Sequence, residues 1–133
     1  MNPFSRLNLN NNHGLLLIII SLIYLACSEP VPEHSQFFIG MTRNEVLGRF
    51  GKPKRSQVLT KYGNHIWGPI EDYWHKVPMG AKVEIWAYDS EMNMKSDKNS
   101  YIQEGQTELY FINDSGKVDG KGFYIKGAVY EGS

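Results

Sequence analysis

The sequence predicts a small α+β domain, and three local patterns support that prediction. The first is a short helix that begins at a capping box, Thr42-x-x-Glu45, and ends at Gly51. The second is the alternation of apolar and polar residues over 83–88, which is typical of a β-strand. The third is the turn cluster 113–116, which lies between two segments rich in strand-forming residues. One helix followed by strands is the α+β pattern.

The helix is predicted over residues 43–50. Met41 and Val46 occupy the two positions of a hydrophobic staple, which fixes how the chain enters the helix. Gly48 in the middle costs about 1 kcal/mol relative to alanine, so this helix depends on tertiary packing. The predicted buried stripe is Val46, Leu47 and Phe50.

The strands are predicted later in the chain. Residues 83–88 place odd-numbered side chains on one face and even-numbered ones on the other. Residues 107–112 form a second strand, and residues 117–125 return as its partner. Gly120 and Gly122 either weaken that partner strand or mark a bulge.

Two further segments are less regular. Residues 89–105 are polar and are predicted to form a loop. Within 54–82, Arg55–Lys61 is a candidate strand, whereas glycines and prolines interrupt the rest.

The N-terminal residues 1–26 have the composition of a signal peptide. Residues 15–26 carry no charge, but this run is shorter than the roughly 20 residues that a membrane-spanning helix needs. Arg6 is the only fixed positive charge before it. A buried helix is the alternative, but nothing else in the sequence is apolar enough to surround it.

Cys27, the only cysteine, follows directly after Ala26. This junction resembles the lipobox of bacterial lipoproteins, in which the cysteine is acylated with chains such as palmitate and becomes the new N-terminus. Two or more acyl chains give a stable anchor. An incidental cysteine after an ordinary signal peptide is the alternative. Residues 27–36 are polar with two prolines and are predicted to be a lipidated tether, with the domain occupying 37–133.

Composition limits the function of the exported part. Its 107 residues suffice for one domain with one core. They contain 14 acidic and 13 basic residues and no basic stripe, which argues against nucleic acid as a partner. Without a second cysteine, no internal disulfide can form.

Several motifs resemble those of the small outer-membrane lipoproteins of the SmpA/OmlA type, which include the E subunit of the β-barrel assembly machinery. The matching residues are Ile39-Gly40-Met41-Thr42, Glu45-Val46, Gly51-Lys52-Pro53, Trp86-Ala87-Tyr88, Leu109-Tyr110-Phe111 and Gly116-Lys117-Val118. Relative to the compact members of that family, residues 56–82 and 89–105 are enlarged.

The resemblance implies two short N-terminal helices packed on a small antiparallel sheet of three to four strands. It also implies a non-catalytic, protein-binding role at the periplasmic face of the outer membrane, accessory to envelope or outer-membrane protein assembly. The motif residues are explained by capping and turn chemistry, so they report a fold and identify no active site.

Metal sites are not predicted. His65, Glu71, Asp72 and His75 have ligand-type side chains, but their spacing matches no metal motif. Residues 89–100 begin like a calcium loop and then lack its glycine at position six and its glutamate at position twelve.

Catalysis and cofactors are not predicted either. The sequence has no Gly-x-Ser-x-Gly elbow, and its one cysteine is assigned to the anchor. A hydrolase assembled from scattered serine, histidine and aspartate residues is the remaining enzymatic alternative.

Aromatic residues indicate where function lies. Trp67, Tyr73 and Trp74 are the candidate partner-binding residues, because tyrosine and tryptophan give large rigid contact area. Packing in the core is the alternative for each of them, and we favour the interface slightly for Trp74. The expected partner is an envelope protein. The alternative function is an envelope-tethered inhibitor or immunity protein whose loop 62–75 blocks a secreted enzyme.

Overall fold

A computed structural model of the protein describes residues 30–128. The predicted signal peptide 1–26 and Cys27 lie outside these residues. The described elements are the 3-10 turn His34–Gln36, helix α1 (Arg43–Phe50), strand β1 (Arg55–Thr60), the helical turn α2 (Glu71–Trp74) and strands β2 (Lys82–Lys95), β3 (Ser100–Ile112) and β4 (Gly120–Ile125).

The four strands form one antiparallel sheet in the order β1-β2-β3-β4. The predicted α+β class and small antiparallel sheet are therefore confirmed. Among the described residues, α1 is the one helix longer than a single turn. No helix in this part of the chain combines the length and apolar character that crossing a membrane requires.

Helix α1 begins and ends where its local chemistry predicts. The Thr42 hydroxyl accepts from the Glu45 backbone N–H at 3.1 Å, and the Glu45 carboxylate accepts from the Thr42 backbone N–H at 2.7 Å. The Glu45 carboxylate accepts from the Thr42 N–H and, at 3.0 Å, from the Thr42 hydroxyl, and these two bonds lower the pKa of Glu45. Gly51 ends the helix with a positive φ of 74°, and its N–H donates to Leu47.

The first face of the sheet is covered by α1 and the turn before it. Val46 and Met41 pack there against side chains of β2 and β3, which include Trp86, Tyr88, Leu109 and Phe111. Leu47, which was predicted to be buried, is exposed, because so short a helix meets the sheet along a narrower stripe. The guanidinium of Arg43 lies 4.2 Å from the Phe111 ring centre and pairs with Glu84 at 2.6 Å.

The second face is covered by residues 61–81, which we call the inserted segment. Its buried side chains Ile70, Trp74, Val77 and Ala81 pack on Val83, Ile85 and Tyr110 of the sheet. Both faces of β2 and β3 are therefore buried. This explains why odd and even positions of these strands are both rich in large apolar residues.

The predicted tether contacts the domain. The carbonyl of Pro32 accepts from the Glu91 N–H at 3.0 Å, and Glu33 forms a parallel bridge with Glu91. His34 reaches Thr107 with an Nδ1 to Oγ1 distance of 2.9 Å. Residues 32–34 of the predicted tether thus lie against β2 and β3. Backbone and polar contacts hold this segment, so its low hydrophobicity gives no sign of the docking.

The loop predicted over 89–105 is wrong. β2 continues to Lys95 and β3 begins at Ser100, with a short turn closed by hydrogen bonds between Ser96 and Asn99. Strand β1 pairs only as far as Ala87, and β4 pairs no further than Gly105, so the hairpin extends beyond both as a two-stranded ribbon. A ribbon with two solvated faces needs no apolar alternation, and for that reason its sequence resembles a loop.

The predicted turn after β3 is confirmed. Asn113 and Asp114 both have positive φ, at 49° and 58°, a conformation that asparagine and aspartate tolerate better than other residues with a side chain. The chain then returns as β4. Gly120 marks a close approach rather than a bulge, because a Cβ atom there would overlap the Tyr73 ring.

Candidate partner-binding surface

The inserted segment is anchored by a buried lysine. The Lys61 ammonium group donates to the carbonyls of Trp74 at 2.7 Å and Val77 at 2.8 Å. It also lies 5.6 Å from the Trp74 ring centre, within cation–π range. These carbonyls lie at the end of the α2 turn. The Trp74 carbonyl also accepts from the Val77 N–H at 3.1 Å, and the lysine caps the turn by adding a donor to both carbonyls.

The Trp74 indole holds the loop from the other side. Its Nε1 donates to the Gly63 carbonyl at 2.9 Å, while its ring packs in the core on the second face. Only 4% of Trp74 is exposed. It therefore offers almost no area to a partner, in contrast to the interface position favoured from the sequence. Its polar neighbours Glu71, Asp72, His75 and Lys76 lie exposed on the solvent side of this segment.

Tyr73 is half-buried beside Trp74. Its ring stacks on Tyr110 at 5.3 Å, and its hydroxyl donates to the Asp119 carbonyl at 3.0 Å. Burial, followed by the charge of Asp119, raises the pKa of the Tyr73 hydroxyl. Tyr73 thus ties the inserted segment to the start of β4.

Trp67 is the predicted partner-binding residue that projects into solvent, with 68% of its surface exposed. Two further large side chains lie exposed in the same segment, Tyr62 at 86% and Met79 at 60%. The Gly80 N–H donates to the Lys61 carbonyl at 2.7 Å. Because Lys61 precedes Tyr62 and Gly80 follows Met79, this bond holds the backbone next to Tyr62 beside the backbone next to Met79. We call Tyr62, Trp67 and Met79 the aromatic loop surface.

The sequence analysis selected neither Tyr62 nor Met79 as a partner-binding residue. The buried Lys61 distinguishes Trp74, whose carbonyl it binds, from the exposed Tyr62 and Met79. A lysine is rarely buried without a partner, and here its two partners are backbone carbonyls that sequence does not display.

Strand β1 forms an open edge of the sheet next to this surface. Lys61 donates its N–H to the Ala81 carbonyl, so in this register odd-numbered residues of β1 bond to β2. The backbone groups of Ser56, Val58 and Thr60 consequently face away from β2. No hydrogen bond to them is formed by any other described residue. The Val58 side chain is 61% exposed.

Charge is unevenly distributed around this edge. Residues 46–70 contain five basic residues and no acidic one. Lys54 pairs with Asp89 at 2.7 Å, and Arg55 pairs with the buried Glu108 at 2.8 Å. Burial raises the pKa of the Glu108 carboxyl, and the Arg55 charge opposes that shift. Lys54 and Arg55 thus have carboxylate partners, whereas Lys52 forms no ion pair with any described residue.

Two other exposed apolar pairs lie elsewhere. Phe38 and Ile39 precede α1, and Tyr101 and Ile102 lie on the ribbon. Phe38 and Ile39 follow the buried Phe37, whose carbonyl accepts from Lys121 at 2.6 Å, so their segment is anchored too, but neither pair combines a tryptophan with a tyrosine. A rigid aromatic side chain loses less conformational freedom on binding, so the aromatic loop surface is the best-formed candidate among these.

The metal-type residues of the inserted segment are not brought together. His65, Glu71, Asp72 and His75 are all exposed. Within residues 30–128 there is no group of three or more histidine, cysteine, aspartate or glutamate residues placed to hold a metal ion.

One histidine does meet hydroxyl groups. His34 Nδ1 lies 2.9 Å from the Thr107 hydroxyl, which in turn forms a short hydrogen bond to Ser90. Burial, followed by the charge of Lys121, lowers the pKa of His34 to about 4. Ser90 and Thr107 are fully covered, and a nucleophile must reach its substrate. This chain of hydrogen bonds therefore docks the N-terminal segment on the sheet.

Comparison with protein-family models, curated proteins and solved structures finds no match to this chain.

Proposed function

We propose that this protein is a lipid-anchored, protein-binding domain of the bacterial cell envelope without catalytic activity of its own. The observation that supports it is the aromatic loop surface. Trp67 and Tyr62 are held in solvent on a segment whose base is fixed by Lys61 and Trp74. Large exposed aromatic residues on a rigid base are typical of binding hot spots.

In its finer form, the proposal assigns the domain to the periplasmic face of the outer membrane, with Cys27 acylated. Its role is then accessory to envelope or outer-membrane protein assembly, as the resemblance to the SmpA/OmlA type implies. The residues of that resemblance lie in α1 with its entry and exit, in β2 and β3, and in the segment between β3 and β4. Before α1 the described residues form the 3-10 turn His34–Gln36 and no second α-helix.

Site-specific crosslinking tests the binding role. A photo-crosslinking amino acid at position 67 in the full-length chain, expressed in its own cells, is expected to trap one discrete envelope protein. The same probe at position 97, on the exposed ribbon turn, is the control. Absence of a discrete product from position 67, or identical products from both positions, contradicts the proposal.

The anchor is tested separately. Labelling with a fatty-acid analogue is expected to mark the wild-type chain and to spare Cys27→Ala, because the acyl chains need that thiol. Fractionation then assigns the membrane. Equal labelling of both chains rules out Cys27 as the anchor, and recovery in the inner membrane contradicts the outer-membrane assignment.

The second candidate function is inhibition of a secreted enzyme. It is favoured by the same rigid protruding loop, since filling a concave active site needs an exposed side chain such as Trp67 on a fixed base. An adjacent gene for a secreted enzyme, together with loss of that enzyme's activity on addition of the purified chain, would select this alternative. A crosslinked partner with a structural role would select the first.

A further inference from the structure

We propose that strand β1 is a docking strand, which binds a partner by accepting an extended, acidic segment of it as a fifth strand of the sheet. This rests on the proposed protein-binding function and adds to it the form of the partner. Binding by strand addition derives its affinity from backbone hydrogen bonds, and its selectivity from the flanking side chains.

The backbone of β1 is arranged for such an addition. Two independent bonds fix which way its groups point. Lys61 donates to Ala81, and Asn113 donates to Lys82 on the other side of β2. Odd residues of β2 therefore bond to β1, and even ones bond to β3. The N–H and C=O groups of Ser56, Val58 and Thr60 face outward and form the free ladder.

The edge lacks most of the features that protect exposed strands. Proteins usually block an open edge with proline, central charges or a covering element. Between Ser56 and Thr60 there is neither a proline nor a charge, and Val58 is exposed. The opposite edge strand, β4, differs because α2 lies alongside it, with the Tyr73 hydroxyl bonded to Asp119.

The charges around β1 favour an acidic occupant. Lys52, Lys54 and Arg55 lie at its start, and no acidic residue occurs between Val46 and Ile70. Lys54 and Arg55 have partners, whereas Lys52 forms no ion pair with any carboxylate in the part of the chain that the structure describes. Glutamate or aspartate flanking the incoming strand would meet this positive charge, and lysine would be repelled.

The end of β1 leads into the aromatic loop surface. Tyr62 follows Thr60 by two residues, about 7 Å along an extended chain. An added strand that pairs with residues 56–60 is therefore directed towards Tyr62. One ligand can use the backbone ladder and the exposed aromatic residues together.

The test uses the full-length chain and short synthetic peptides as probes. Each peptide has alternating valine and threonine at its centre, with glutamates at both ends in one version and lysines in the other. We expect the glutamate version to bind about tenfold more tightly by fluorescence anisotropy, and this difference to shrink at high salt. Amide exchange at Ser56, Val58 and Thr60 is expected to slow on binding.

Two variants separate the backbone from the side chain. Val58→Pro removes an outward N–H that β2 does not use, so the fold tolerates it. It is expected to weaken binding of the glutamate peptide about tenfold, because one backbone hydrogen bond is lost and the spacing of the ladder is disturbed. Val58→Ala keeps the N–H and is expected to stay within about threefold of wild type. Unchanged β-sheet circular dichroism shows that both variants fold.

The proposal is overturned by any of three results. These are equal binding of the glutamate peptide to Val58→Pro and wild type, no binding by either peptide, or dimerisation of the chain through β1. A position-67 crosslink that survives Val58→Pro would leave the protein-binding function intact and reject strand addition alone. If the otherwise wild-type chain gives no discrete crosslink from position 67, the protein-binding function itself is rejected.

Discussion

The ammonium group of Lys61 donates a hydrogen bond to the backbone carbonyl of Trp74 at 2.7 Å, inside the base of the inserted segment. This contact joins the end of β1 to the end of α2. It explains how a loop rich in glycine and proline keeps one fixed path. It also determines which aromatic residues face the core and which face solvent.

Lys61→Met is expected to destabilise the domain. The methionine retains most of the apolar stem but removes a donor from the Trp74 carbonyl, which keeps the Val77 N–H, and the one donor from the Val77 carbonyl among the described residues, at a cost of about 1–3 kcal/mol. The melting midpoint should fall. Lys82→Met, at an exposed position on the neighbouring strand, is the control and should leave the midpoint nearly unchanged. If the two variants have the same melting midpoint, Lys61 contributes no more to stability than a surface lysine.

Trp74→Ala and Trp67→Ala are expected to act differently. Trp74 is a core residue, and its truncation should cost about 3–5 kcal/mol, enough to unfold a small domain. Trp67 is exposed, and its truncation should change stability by less than about 0.5 kcal/mol. Chemical denaturation of the two purified variants measures both. Similar losses in both variants would contradict the division of the loop into a base and a contact surface.

Gly120→Ala is expected to destabilise the chain through overpacking. A methyl group there would overlap the Tyr73 ring, which is held by its contacts with Tyr110 and Asp119, so about 1–3 kcal/mol should be lost. Gly48→Ala has open space around it within α1 and should gain about 1 kcal/mol. Denaturation midpoints that shift in opposite directions are the expected result. A stabilising Gly120→Ala would show that Tyr73 can move aside.

Stability is expected to fall between about pH 6.5 and pH 4 because of His34. Its pKa is lowered from 6.5 to about 4 by burial and by Lys121, so the unfolded chain binds the proton more readily than the folded one. The contribution is fully present above pH 6.5 and is lost as the pH falls towards 4. Because the His34 ring is partly exposed, this contribution to the free energy of unfolding is limited to about 2 kcal/mol.

His34→Gln provides the control for this pH dependence. Glutamine can keep a hydrogen bond to Thr107 but does not titrate. Urea midpoints measured across the same pH range should therefore be flatter in the variant than in wild type. The same slope in both proteins would assign the pH dependence to groups other than His34.

Much of the fold could be predicted because its signals are local. The capping box of Thr42 and Glu45 and the turn at Asn113 need only neighbouring residues, and both are confirmed. The candidate site was less predictable. Trp67 and Trp74 have similar sequence surroundings, yet one is exposed and the other buried.

The sequence by itself determined the class of the domain, the bounds of α1 and the pairing of β3 with β4, since propensity, capping and turn chemistry act over a few residues. Only the tertiary structure decided that the inserted segment covers the second face of the sheet and that the N-terminal segment docks at Glu91. It also decided that the Trp74 side chain packs in the core. These outcomes depend on contacts between distant segments, such as Lys61 with Val77 and His34 with Thr107, and no local pattern encodes them.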